Sequence, residues 1–203
     1  MPPHPRISLH RLLRAVPTLG ALALCGCATT MSDTPPPCSF NGVDDVSSAN
    51  VQQTRLQMLT GRLLALGPRV DPAEARRAAA TALQTSLLQR RDYEVTGGAT
   101  SHNLAVVSGK KRRGLCIHWT RDLLDALRAL ELRTFTLYWG IANEGNVLSE
   151  HSTVVIAARG ESFHEGLVLD GWRYSGCLYW GAVSTDKYRW QQAAHYPQVE
   201  NGR

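Results

Sequence analysis

Apolar residues recur at helical spacing through residues 51–66. Val51, Leu56, Met58, Leu59, Leu63, Leu64 and Leu66 fall near a 3.6-residue period, and Gly67-Pro68 ends the run. Asp71-Pro72-Ala73-Glu74 puts Asp at the N-cap, Pro at N1 and Glu at N3. That arrangement satisfies the free N–H groups of a helix start, so a second helix is expected to about Arg91, with Ala82, Leu83, Leu87 and Leu88 toward the core. Residues 104–107 read as a short apolar strand. A third helix is expected from Cys116, with Leu123, Leu124, Leu127 and Leu130 as its buried stripe. Beyond it the texture changes. Residues 134–141, 152–157, 166–169 and 178–183 are rich in β-branched and aromatic side chains, and they are separated by Asn143-Glu144-Gly145-Asn146, Arg159-Gly160 and Ser175-Gly176. Helices first and strands later predict an α+β fold with N-terminal helices packed on an antiparallel sheet. No internal repeat is present.

The N-terminal segment has a different character. Arg6, Arg11 and Arg14 precede a short apolar run at 15–24, which leads into Leu24-Cys25-Gly26-Cys27. A basic start, a short apolar middle and small residues at the end are the parts of a secretory signal, and the run is too short to span a bilayer. Its tail resembles the lipobox of bacterial lipoproteins. The resemblance implies cleavage after residue 26, a lipid on Cys27 and an anchor in the outer membrane facing the periplasm, because Ala28 is not the Asp associated with inner-membrane retention. Residues 28–38 are polar and Pro-rich, as an extended tether would be. The expected organisation is a signal at 1–26, a tether at 27–45 and one α+β domain at 46–203. An ordinary cleaved signal, with Cys27 a free thiol, is the alternative.

Charge and cysteine count narrow the classes. Three of the 22 basic residues and none of the 17 acidic residues lie in residues 1–26, so the remainder carries 19 against 17. Nothing in that balance implies a nucleic-acid partner. The run Lys110-Lys111-Arg112-Arg113 is too short to imply one and reads as a solvated loop. The processed chain keeps Cys27, Cys38, Cys116 and Cys177. With Cys27 lipidated, three remain, and at least one is unpaired in an oxidising compartment. Cys38 and Cys177 are the candidates for a disulfide, although spacing does not fix the pairing.

Cys116 has a reason to stay free. Gly114-Leu115-Cys116-Ile117-His118-Trp119 sets a thiol in the first turn of an amphipathic helix, where free N–H groups and the helix dipole favour the thiolate. The four basic residues upstream push the same way. His151 opens a strand and Asp170 closes the next. A hairpin register that opposes Ile156 and Glu165 also opposes His151 and Asp170 on one face of the sheet. A carboxylate there orients the imidazole and favours its protonated form. Cys116, His151, His102 and His118 match no zinc spacing, so no metal and no cofactor is expected. Trp172, Tyr174, Tyr179 and Trp180 read as core and edge packing, with a sugar or peptide platform as the alternative.

Cys at a helix start, His on a strand and Asp on the following strand resemble the papain-like fold in its transglutaminase-like branch. The resemblance lies in GLCIHW, EHSTVVI and VLDGWRYSGCLYW, over roughly residues 104–183. It implies Cys116 as nucleophile, His151 as base and acid, Asp170 as orienting carboxylate and Trp119 as a wall of the site. It also implies acyl transfer from an amide in a peptide, a protein or the cell wall. Where papain-type enzymes carry an oxyanion Gln before the Cys, this chain has residues 110–113. The N–H of Cys116 supplies one donor, and Asn103 is the candidate for a second. A catalytically silent binding or assembly lipoprotein and a peptidoglycan amide hydrolase are the alternatives.

Overall fold

The structure is a computed structural model, and it describes residues 48–146 and 149–195. The expectations for the signal, for Cys27 and for the tether lie outside the described residues. Four helices come first: α1 (Ala49–Leu64), α2 (Pro72–Asp92), α3 (Ala99–Val107) and α4 (Cys116–Arg128). Five strands follow: β1 (Phe135–Ala142), β2 (His151–Ala158), β3 (Leu167–Asp170), β4 (Tyr179–Ala182) and the two-residue β5 (Gln191–Gln192). The strands form one antiparallel sheet in the order β4-β3-β2-β1-β5. The class is α+β. Among the described residues, no helix is long and apolar enough to cross a membrane.

Local chemistry accounts for the helix starts. Ser48 Oγ accepts from Val51 N at 3.4 Å to open α1. Asp71 Oδ1 accepts from Glu74 N at 2.8 Å, with Pro72 at the first helical position, to open α2. The N3 carboxylate of Glu74 then turns outward from its own helix. It accepts from Arg133 N, Thr134 N and Thr134 Oγ1 at 2.6–3.0 Å, tying the start of α2 to the entry of β1.

One sheet face packs on the helices. Leu59 and Leu63 of α1, Ala75, Ala78, Ala79 and Ala82 of α2, and Leu123, Leu124 and Leu127 of α4 close over Trp139, Val154, Ile156, Leu167, Leu169 and Trp180. Burying each leucine of the α4 stripe contributes roughly 1.5–3 kcal/mol. The small α2 residues let that helix lie close to its neighbours. The opposite face carries Val155 and Val168 under Phe163, Val183 and Trp190. Every residue of β2 is buried, as befits the central strand.

Three expectations need correction. Residues 104–107 are not a strand but the end of α3; Gly98 occupies the N-cap, and Leu104 and Val107 point outward at 69% and 76% exposure. A four-residue apolar run carries too little periodicity to separate helix from strand. On α2, Leu88 is exposed and Leu87 half-buried, while Ser86 and Gln89 are buried in their place. Gln89 earns its position by donating from Nε2 to Trp119 O at 2.9 Å. The pairing of β2 with β3 sets Ile156 opposite Leu167 and Val154 opposite Leu169, two residues away from the expected register.

Candidate active site

Cys116 is the first residue of α4. Its helix start is capped from within. His118 Nδ1 accepts from Gly114 N at 3.2 Å and Leu115 N at 3.1 Å. That role requires a neutral ring, and burial, followed by the nearby Arg113 charge, holds the His118 pKa down against the opposing pull of Asp122. The N–H of Cys116 has no acceptor among the described residues. It stands at the positive end of the helix, where negative charge is favoured.

The loop before Cys116 is held rigidly. Trp119 Nε1 donates to Gly114 O at 2.8 Å, and His102 Nε2 lies 2.9 Å from Arg113 O. Gly114 has φ +125°, and a Cβ there would meet His102 Nε2 at 2.1 Å. Only glycine fits. Trp119 is 2% exposed and stacks edge-on against Tyr93. It braces the loop before Cys116, because residue N4 of this helix faces the core. Two of the four upstream basic residues are already paired: Lys111 with Glu94 at 2.5 Å and Arg113 with Asp122 at 2.7 Å. The positive field that residues 110–113 were expected to supply to Cys116 is thus half compensated.

His151 and Asp170 share the sheet face of Val155 and Val168. His151 Nε2 lies 2.7 Å from Asp170 Oδ2, with both side chains buried. Asp170 also accepts from Arg173 N at 3.0 Å through Oδ1 and from Arg173 Nε at 3.1 Å through Oδ2. Arg173 is fixed in turn by Asp186, which accepts from Nη2 at 3.0 and 3.2 Å, and by the rings of Tyr179 and Tyr188 at 3.7 and 5.0 Å. Asp186, Arg173, Asp170 and His151 form one buried chain of alternating charge. Burial opposes ionisation of Asp170, but His151 and Arg173 outweigh it and hold the carboxyl below its ordinary value. For His151 burial is again the largest influence and lowers the pKa. Asp170 first and Cys116 second reverse it, lifting the imidazole from 6.5 to about 9.

The Nδ1 of His151 is buried and makes no hydrogen bond among the described residues. Cys116 is close enough to the ring to act on it electrostatically. In the resting arrangement Sγ faces Glu150 O at 3.9 Å, one residue before β2. The imidazole is enclosed by Trp172, Tyr188 and Trp190, with ring centroids at 4.5, 4.9 and 5.2 Å.

Asn103, on α3, is tied to this shell. Trp172 Nε1 donates to Asn103 Oδ1 at 2.9 Å, which leaves Nδ2 turned away from the indole and without a partner among the described residues. Of the aromatic residues read as packing or platform, Trp180 is fully buried and Tyr174 half-exposed. Trp172 stands against His151. Arg173, Asp186, Tyr188 and Trp190 belong to the site and were missed from the sequence; the only sequence trace of the clamp is the Asp-x-x-Arg spacing across the turn after β3. Cys177 is disulfide-bonded, while Cys116 is free. The Cys38 half of the expected pair lies outside the described residues.

Two cavities of ≈ 550 and ≈ 580 Å³ lie elsewhere, and neither is lined by Cys116, His151 or Asp170. Compared with protein-family models, characterised proteins and solved structures, the chain matches none. The functional reading therefore rests on the geometry of the site.

Proposed function

We propose that this chain is a Cys-His-Asp acyl-transfer enzyme with a papain-like, transglutaminase-like core. In this reading it is held in the cell envelope by a lipid on Cys27 and cleaves or exchanges amide bonds in a peptide, a protein or the cell wall. The observation that carries the proposal is a buried imidazole fixed to Asp170 on one nitrogen, unpartnered among the described residues on the other and under the electrostatic influence of Cys116, beside a helix-start N–H with no acceptor among the described residues. The thiolate of Cys116 attacks the amide carbonyl, forming a C–S bond. The resulting oxyanion takes the Cys116 N–H. Nδ1–H of His151 protonates the leaving nitrogen as the C–N bond breaks, leaving a thioester. Water or an amine then gives its proton to Nδ1 and attacks the thioester. The C–S bond breaks and the thiolate returns. Asp170 keeps Nε2–H in place throughout.

The test is the intact mass of the folded protein after incubation with an activated peptide ester. An acyl adduct on Cys116 that hydroxylamine removes, and that Cys116→Ala abolishes, supports the proposal. No adduct on folded wild-type protein rejects it. A second reading, a silent binding lipoprotein on the same fold, draws on the contact of Sγ with Glu150 O and on the near-complete burial of His151. The anchor is tested separately: Cys27→Ser should leave an unprocessed precursor or a soluble form, and a processed variant lipidated on another cysteine would refute it.

A further inference from the structure

The far end of the sheet carries a second feature that the acyl-transfer proposal leaves unexplained. β2 runs from His151 at the site to Ala158, about 23 Å away at a strand rise near 3.3 Å. There a cavity of ≈ 550 Å³ is lined by Arg69, Arg133, Arg159, Thr134 and Glu161, with Gly67 and Ala158 among the apolar surfaces. Its volume falls within the usual range of small-molecule sites. Three arginines line it, and none of them makes an ion pair among the described residues.

Arg159 is fixed in position without being neutralised. Its Nε donates to Arg133 O, and its Nη2 donates to Leu132 O at 3.0 Å and Phe135 O at 3.1 Å. Carbonyls orient a guanidinium but leave its full charge in place. Arg69 reaches toward the same strand end: its Nη2 lies 3.8 Å from where a Cβ on Gly160 would stand. Gly67 lies against Ala158, where an added Cβ would sit 3.1 Å from the Ala158 Cβ, so the α1–α2 connection closely approaches the strand end. The nearby carboxylate of Glu74 is held by the amides of Arg133 and Thr134 and by Thr134 Oγ1, and its charge is met by Arg77 at 4.0 Å, outside the lining. Glu161 is the one carboxylate among the lining residues. The cavity therefore carries three positive charges against one negative, and like charges gathered this closely are unfavourable without an anion between them.

We infer that this cavity binds a phosphate-bearing ligand. A phosphate monoester carries close to two negative charges at neutral pH, matching the excess, and guanidinium forks pair its oxygens bidentately. A carboxylate would leave one positive charge unbalanced. The phosphate can belong to a free phosphomonoester or to a lipid headgroup; the shared chemistry is the dianion. The inference is independent of the proposal for Cys116, since the two features share no residue.

The experiment uses the full chain. Thermal unfolding is followed against inorganic phosphate and glycerol 3-phosphate, with glycerol as the uncharged control. Flotation with phosphatidic acid vesicles is compared with flotation on phosphatidylcholine. Ligand binding to the folded state raises the melting temperature in a concentration-dependent way. In the double variant Arg69→Gln, Arg133→Gln the affinity should fall by about 10- to 100-fold for each guanidinium lost. Those side chains hold no hydrogen bond in the described structure, so the alkylation rate of Cys116 should match wild type, and melting without phosphate should be no lower than wild type because charge repulsion is relieved. A variant-sensitive response to the soluble phosphates identifies a free phosphomonoester. A variant-sensitive response only to phosphatidic acid vesicles identifies a headgroup. No response to either, or an equal response in wild type and double variant, overturns the inference.

Discussion

His151 meets Asp170 diagonally across the β2–β3 pair. Nε2 and Oδ2 are 2.7 Å apart, although Val154 faces Leu169, so that extending the register sets Asp170 across from Thr153. Thr153 Oγ1 donates to Leu169 O at 3.0 Å and fills the directly opposed position. A displacement of two residues keeps both side chains on one face, because the strand period is two. The diagonal neighbour is within reach of an imidazole, and the offset leaves room for Arg173 to hold the other edge of the carboxylate.

That arrangement gives Asp170 a structural role beside the one proposed for it. Asp170→Ala leaves a buried Arg173 with one partner fewer and a buried His151 with none on Nε2. The expected loss is about 3–5 kcal/mol, measured by urea unfolding. Asp170→Asn keeps an acceptor and the shape, so its loss should be distinctly smaller. Equal effects from the two variants would mean that the charge, not the packing and hydrogen bonding, accounts for the whole contribution.

Stability should depend on pH in both directions. The His151 pKa is raised from 6.5 to about 9, so its contribution is fully present below pH 6.5 and is lost as pH rises through about 9. The size is on the order of 3 kcal/mol. The Asp170 pKa is lowered, so its contribution is present above its ordinary value of 3.8 and is lost as pH falls through the folded value. The urea midpoint of wild type minus that of His151→Ala should shrink between pH 7 and pH 10. Taking the difference removes other groups that titrate there, and a pH-independent difference would contradict the raised pKa.

Gly114→Ala should cost roughly 2–4 kcal/mol, because it combines a left-handed φ with a collision against His102. His102→Ala in the same chain relieves the collision but not the backbone strain, and should recover part of the loss. If Gly114→Ala melts like wild type, the loop before Cys116 is not held as described.

Much of the framework is legible in the sequence because local rules fix it. Asp71-Pro72-Ala73-Glu74 specifies a helix start by hydrogen bonds made within four residues, and the stripe from Leu123 to Leu127 specifies a buried face by period alone. The placement of Cys116, His151 and Asp170 on a helix start and two adjacent strands follows from the same signals. What is not legible depends on distant partners. Leu104 and Val107 look like a strand until Gly98 is seen to cap a helix. Gln191 and Gln192 have no apolar pattern, and only the free edge of β1 makes them a strand. Trp119 faces the core because Gly114 O and Tyr93 are there to receive it. The Arg173 clamp requires Asp186, thirteen residues on, and no periodicity announces that pair.

The account stands or falls on the coupling of Cys116 to His151, read by the rate of iodoacetamide alkylation of Cys116 at neutral pH in wild type, His151→Ala and Asp170→Asn. In the proposed mechanism the His151 imidazolium pairs with Cys116, so wild type should react fast, His151→Ala at least about tenfold more slowly, and Asp170→Asn in between. Urea unfolding of each variant confirms that the labelled protein is folded. Equal rates in folded wild type and His151→Ala would mean that Cys116 is a packed thiol with no catalytic partner, and the acyl-transfer proposal would be wrong.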